Sequence, residues 1–309
     1  MASLPAPTDA TIAAAHPRLL RAARAALIAN LGIVVTGGLV RVTGSGLGCA
    51  EWPRCTEDSF VPVGGADAGW HAAIEFGNRL LTFAVLAATL AVLYEVRRSR
   101  PLPVVLVRLA WVLPLGVLAQ AVIGGITVLT GLHWWTVSVH FLASMLLILA
   151  AVALLGLVRT RADAPPTTTG LRHAVSALTF VAFLVLVLGT MVTAAGPHGG
   201  DASAPRIGID IRLLAIAHAD GVWLLLGLTV ATLFMARHAG HPELARAVGV
   251  LLAISLAQGA VGYLQYWLGI PRELVSLHVV GATLVWLAAA RTWVVAHRPG
   301  MPSMSSLEA

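Results

Sequence analysis

The sequence predicts an all-α membrane protein: eight transmembrane helices arranged as two parallel, pseudo-symmetric four-helix bundles. Three observations predict it. The chain is 58% hydrophobic and only 11% charged over 309 residues, with a mean hydropathy of +0.86, which is too apolar for a water-soluble domain. Its apolar residues gather into eight runs, at 20–42, 72–94, 109–130, 137–158, 174–194, 212–236, 247–268 and 273–296. Each is close to the roughly 20 residues that carry a helix across a bilayer, and a helix satisfies its own backbone in lipid. Third, the last four runs repeat the landmarks of the first four. Gln120, Gly124 and His140 in one half match Gln258, Gly262 and His278 in the other, each histidine twenty residues after its glutamine. Four spans per half is an even number, so the halves run parallel about an axis along the membrane normal. The expected division is 1–165 and 166–309.

A sequence pI near 10.6 and a net charge of +6 do not point to nucleic acid, because every basic side chain is arginine and the arginines follow the spans. Fourteen of the twenty fall on one side; Arg41, Arg54, Arg79, Arg206, Arg212 and Arg272 fall on the other. The positive-inside rule then places both termini in the cytoplasm of a multi-pass cell-membrane protein. Residues 1–17 are expected to form a short cytoplasmic tail. The first span is long and leads straight into a motif-bearing loop, so signal-peptide cleavage is not expected.

That loop follows the first span. Five glycines in the twelve residues 37–48, then Trp52-Pro53, cannot continue a helix at low cost, so the chain turns here on the outer side. Cys49 and Cys55, the only cysteines, flank the turn. An oxidising compartment and a short loop favour a disulfide between them; two free thiols or a metal pair are the alternatives. The second span opens with Ile74-Glu75-Phe-Gly-Asn78-Arg79, which puts Glu75 and Asn78 on one helix face with Arg79 beside them. An acid inside a span faces a polar cavity or the bundle interior, or else it pairs with Arg79 to anchor the helix end. The Pro- and Thr-rich stretch 159–172 divides the chain nearly in half.

In the second half His218 opens the sixth span as Asn78 opens the second. The interval from Asn78 to His140 is 62 residues and that from His218 to His278 is 60. With the amino terminus inside, the second, fourth, sixth and eighth spans all descend from the outer face. Asn78, His140, His218 and His278 then share one depth, roughly 8–12 Å below the interface. Facing histidines in a four-helix bundle are a usual way to hold a haem iron from both sides, and the small residues Gly281 and Ala143 are expected to clear a flat ring. The halves are unequal. His218 and His278 form a complete pair suited to a permanent six-coordinate haem, whereas the first half offers His140, Asn78 and the extra acid Glu75, whose counterpart is Ala215. His71, His133 and His198 are expected to be solvated at helix ends and loops.

Residues 37–55, the Ile74–Arg79 segment and the three histidines together resemble the haem A synthase family, over essentially the whole chain. The resemblance implies oxidation of the C8 methyl group of haem O to a formyl group by successive hydroxylations. It implies haem b on His218 and His278 as an electron relay, with haem O as substrate in the 1–165 half. It further implies His140 as substrate-haem ligand, Glu75 as catalytic acid, and Cys49 and Cys55 as the family's outer-loop cysteine pair. Where the family commonly has histidine this chain has Asn78, a weaker ligand, so His140 is expected to hold the substrate iron alone or with water. Arg79, with Arg41 and Arg212, lies near the outer end of a span and is a candidate partner of haem propionates or, equally, a simple interface anchor. Expected partners are membrane lipid, a haem O synthase that supplies the substrate, an electron donor and further copies of the chain in a homo-oligomer. The rival class is a di-haem cytochrome b-like electron-transfer subunit, which explains the histidines but not the acid or the cysteine pair. A transporter would require broken helices near the midplane.

Overall fold

The structure, a computed structural model, describes residues 16–63, 69–99, 102–159 and 167–298, together with Ile12. Most of the expected cytoplasmic tail, and the stretch 160–166 that contains the expected boundary between the halves, lie outside the described residues. The described residues form eight membrane-length helices and no strand: α1 Pro17–Val42, α2 Gly69–Arg98, α3 Val104–Leu129, α4 Trp134–Arg159, α5 Thr169–Ala195, α6 Ile211–His238, α7 Pro242–Trp267 and α8 Arg272–Ala296. Every one of the eight apolar runs is therefore a helix, and the chain is a multi-pass membrane protein. The helices run unbroken, Pro114 within α3 included. Pro17 and Pro242 open α1 and α7 at positions where a missing N–H costs nothing.

The packing divides the helices into two rings. α1 touches α2 and α4, and α3 touches the same two; α5 touches α6 and α8, and α7 touches the same two. The rings meet where α1 and α4 contact α8, and where α4 contacts α5. Local backbone repeats as well. The turn before α4 places Gly131 and Leu132 at φ 64° and 57°, and the turn before α8 places Gly269 and Ile270 at φ 76° and 61°. A branched residue such as Ile270 adopts this region only when its surroundings impose it, so the same turn geometry is enforced twice.

At the seam, Val34 of α1, Met145, Ile148 and Val152 of α4, and Trp286 and Ala289 of α8 share one buried cluster with α5 to α7. Trp286 is only 2% exposed, and its indole N–H donates to the Met145 carbonyl at 2.7 Å, a polar tie across the seam. Trp286→Phe removes the tie and leaves part of this buried site unfilled. It is expected to cost about 2 kcal/mol, lowering the thermal unfolding midpoint in detergent by roughly 4–8 °C.

Candidate functional site

The four positions singled out by the repeat lie on the even-numbered helices, and each has a glycine of the preceding helix against it. A Cβ on Gly124 of α3 would lie 3.2 Å from His140 Cε1; one on Gly189 of α5, 3.2 Å from His218 Cε1; one on Gly262 of α7, 3.1 Å from His278 Cε1. In the fourth hairpin a Cβ on Gly37 of α1 would lie 3.8 Å from Asn78 Nδ2. The glycine is what lets an imidazole stand flat between two helices. Gly124 and Gly262 were legible from the Gln-x-x-x-Gly spacing; Gly37 and Gly189 lack that glutamine, and the sequence reading missed their role.

The repeated glutamines bind the histidine backbones: Gln120 Nε2 donates to the His140 carbonyl at 3.0 Å, and Gln258 Nε2 to the His278 carbonyl at 2.8 Å. Gly281, expected to clear a flat ring, makes room for the Gln258 side chain, into whose amide oxygen a Cβ would run.

The His218 and His278 rings face each other with centroids 6.4 Å apart and planes at 65°. His218 Nδ1 bonds the Val185 carbonyl at 3.1 Å, which makes Nδ1 the protonated nitrogen and leaves Nε2 with a free lone pair. His278 and His140 make no ring hydrogen bond among the described residues, and Nδ1 of each is buried without a partner. Unpartnered polar groups in an apolar interior are costly, so hydrogen bonding to a neighbouring helix, which His218 makes to Val185, does not account for these two rings.

The first half is built differently. Asn78 Oδ1 accepts the Thr36 hydroxyl at 2.7 Å, so the amide is turned toward α1. Glu75, 5% exposed, is the one acid among the buried polar side chains of the described residues. Its Oε1 accepts from Arg79 Nε at 3.0 Å and Nη2 at 2.5 Å, and its Oε2 accepts the Cys49 amide N–H. Both readings of Glu75 from the sequence are therefore present in one place, a buried acid and an ion pair with Arg79. Cys49 and Cys55 are joined in a disulfide and both are buried. Their loop folds over the first ring of helices, where the Trp52 indole occupies the space a side chain on Gly125 would need, one residue beyond the glycine under His140.

Where the two halves meet on this same face there is a cavity of about 570 Å³, lined by Arg41, His71, His198, Asp201 and Arg272 among others. Arg41 ties the halves by donating to the carbonyls of His198 at 3.0 Å and Thr193 at 3.2 Å. His71 and His198, expected to be solvated, are bonded to Ser45 Oγ and the Ile270 carbonyl, each at 2.9 Å.

Residues 21–198, which carry the disulfide loop, Glu75, Asn78 and His140, match a family described as cytochrome oxidase assembly protein. The chain belongs to that family. Among curated relatives, the chain is 32% identical over 187 residues to the heme A synthase of Symbiobacterium thermophilum, covering 56% of this chain and 60% of that one. It is 33% identical over 189 residues to the heme A synthase of Lysinibacillus sphaericus, covering 57% and 59%, and 32% identical over 142 residues to that of Geobacillus thermodenitrificans, covering 45% and 42%. The matches thus span between 42% and 60% of the length of these relatives. The resemblance read from the sequence is borne out at the level of family. As an assembly-family member, the chain carries its family match over the first half and the α5 helix of the second, up to the loop that borders the seam cavity.

Proposed function

We propose that this protein is a haem A synthase, oxidising the C8 methyl group of haem O to a formyl group by successive hydroxylations. The 1–165 half receives the substrate and the 166–309 half holds haem b. The observation that carries this reading is the inequality of the two rings: a facing imidazole pair in one, and in the other a single imidazole, an amide turned aside and a buried carboxylate. A plain di-haem electron carrier has no use for that inequality.

Haem b fits the residues of the second ring. With the zinc–imidazole nitrogen distance of about 2.0–2.1 Å as a guide and roughly 1.2 Å more to each ring centre, two imidazoles sharing one metal would have centroids about 6.4 Å apart, the separation of His218 and His278. Haem b, when bound, supplies one-electron transfer. Val185 fixes the tautomer of His218, Gln258 fixes the backbone of His278, and Gly189 and Gly262 keep both rings clear of the neighbouring helix. Gly262→Val fills the space beside His278 and is expected to lower haem b content at least tenfold, read by pyridine haemochromogen assay of the purified protein.

In the first ring, His140 would hold the substrate haem, with Gln120 and Gly124 setting its ring as their counterparts set His278. Asn78 Oδ1 accepts from Thr36 and is turned toward α1, so Asn78 would not serve as a further ligand to the substrate. Glu75 Oε2 carries only the Cys49 amide and is the carboxylate oxygen able to take up a proton, while Arg79 holds Oε1. The disulfide loop, with Trp52 on Gly125, covers this ring and restricts water. The side bearing this loop carries the fewer arginines, which supports an outer location for it in the cell membrane and cytoplasmic termini. A haem O synthase and an electron donor are the partners this reaction calls for.

The test is mass spectrometry of haems extracted from membranes of a host lacking haem A that expresses this protein with a haem O synthase. Formyl-bearing haem A is the expected product. Haem O left untouched beside haem B would favour the electron-transfer reading.

A further inference from the structure

The Arg79 guanidinium has five N–H donors, and all five are used. Nε and one Nη2 hydrogen go to Glu75 Oε1; the other Nη2 hydrogen goes to the Cys49 carbonyl at 2.8 Å; Nη1 serves the Glu51 and Arg54 carbonyls, each at 2.9 Å. The three carbonyls all belong to the seven-residue ring that the Cys49–Cys55 disulfide closes. The same ring donates the Cys49 amide to Glu75 Oε2. Arg79 therefore has no donor left for a propionate, the role the sequence offered it. Its geometry serves one purpose, to hold a carboxylate and a covalent ring against each other.

We propose that Arg79 is a positioning residue that ties the Glu75 carboxylate to the disulfide ring, so that the redox state of Cys49 and Cys55 sets where that carboxylate sits. Closed, the ring presents three carbonyls and one amide converging on the pair. Exchange with a dithiol breaks the S–S bond: two electrons and two protons pass to Cys49 and Cys55, giving two thiols, and the dithiol becomes a disulfide. The opened segment no longer holds its carbonyls in register. Arg79 loses acceptors, Glu75 loses the Cys49 N–H, and the carboxylate is free to turn along α2 toward the interior of the first ring. That this movement matters for the chemistry of Glu75 rests on the function proposed above; the coupling itself does not.

Coupling is reciprocal: if the closed ring favours the Glu75–Arg79 arrangement, that arrangement favours the closed ring by the same factor. The full-length protein, in detergent, is equilibrated in mixtures of reduced and oxidised dithiothreitol, and free thiols are counted by a maleimide mass tag. With only two cysteines in the chain, the mass shift reads this pair alone. Arg79→Met is expected to reach half reduction at a reduced-to-oxidised ratio at least tenfold lower than the unmodified protein, about 30 mV. Arg79→Lys, with a point charge and three donors, is expected to fall between them and guards against a misfolded methionine variant. A half-reduction ratio within twofold of the unmodified protein in both variants overturns the proposal. Infrared difference spectra, reduced minus oxidised, provide the second readout. Carboxylate bands that vanish in Glu75→Gln are expected, and a difference spectrum without them also overturns it. Neither measurement uses haem O, so both stand apart from the test of haem A synthesis.

Discussion

Protein carrying Glu75→Ala is expected to form at least a hundredfold less haem A than the unmodified protein while keeping its haem b. The size follows from the chemistry: a positioned acid or base contributes about 10²–10⁴ to rate, and Glu75 is the one acid among the buried polar side chains of the described residues. Its setting costs the fold something, since desolvating a carboxylate inside a span is unfavourable and is offset by Arg79 and the Cys49 amide. A side chain kept only to anchor a helix end would not require that burial. Glu75→Gln separates the two roles. It keeps the shape and an acceptor for Arg79 but cannot exchange a proton, so it is expected to lose haem A nearly as fully as alanine, with less loosening of the loop. Extracted-haem mass spectrometry checks the product, and maleimide labelling of Cys49 and Cys55 checks the loop.

Substituting His278 by alanine is expected to remove the low-spin haem b spectrum altogether and to lower haem content at least tenfold. His218, still held by Val185, would offer one imidazole where two faced each other at 6.4 Å. Losing even a residue that only orients a ligand costs about 10–100-fold in metal affinity, and losing the ligand costs no less. Haem A formation is expected to fall with it, because under the proposed function the electron relay would then be missing. The visible spectrum and haemochromogen content of the purified variant give the result directly.

Most of the fold was legible because a bilayer leaves few alternatives: apolar runs of about 20 residues become helices, and the observed bounds differ from the runs by five residues or fewer. The histidines were legible because the repeat marks them, with Gln120 and Gln258 twenty residues ahead. What escaped was partnership. Nothing in a linear sequence shows that Thr36 reaches Asn78 across 42 residues, or that Arg79 gives three of its five donors to a loop some 25–30 residues away. Gly281 stands out in the sequence as one helical turn from His278, but only packing shows that it also makes room for the Gln258 side chain of the adjacent helix. His71 and His198 looked solvated since they lie near helix ends, but the loops fold back and supply them with Ser45 and the Ile270 carbonyl. Periodicity and repeats specify which face a residue occupies; only packing decides what meets it there.

The division of labour between the halves is tested most directly by haem counting and electron paramagnetic resonance on protein purified from a host that makes haem B but no haem O. Unmodified protein, His140→Ala and His218→Ala would be compared. One bis-imidazole haem b per chain is expected in the first two and none in the third. Loss of that signal from His140→Ala, or its survival in His218→Ala, would contradict the assignment of haem b to the second ring and of the substrate to the first.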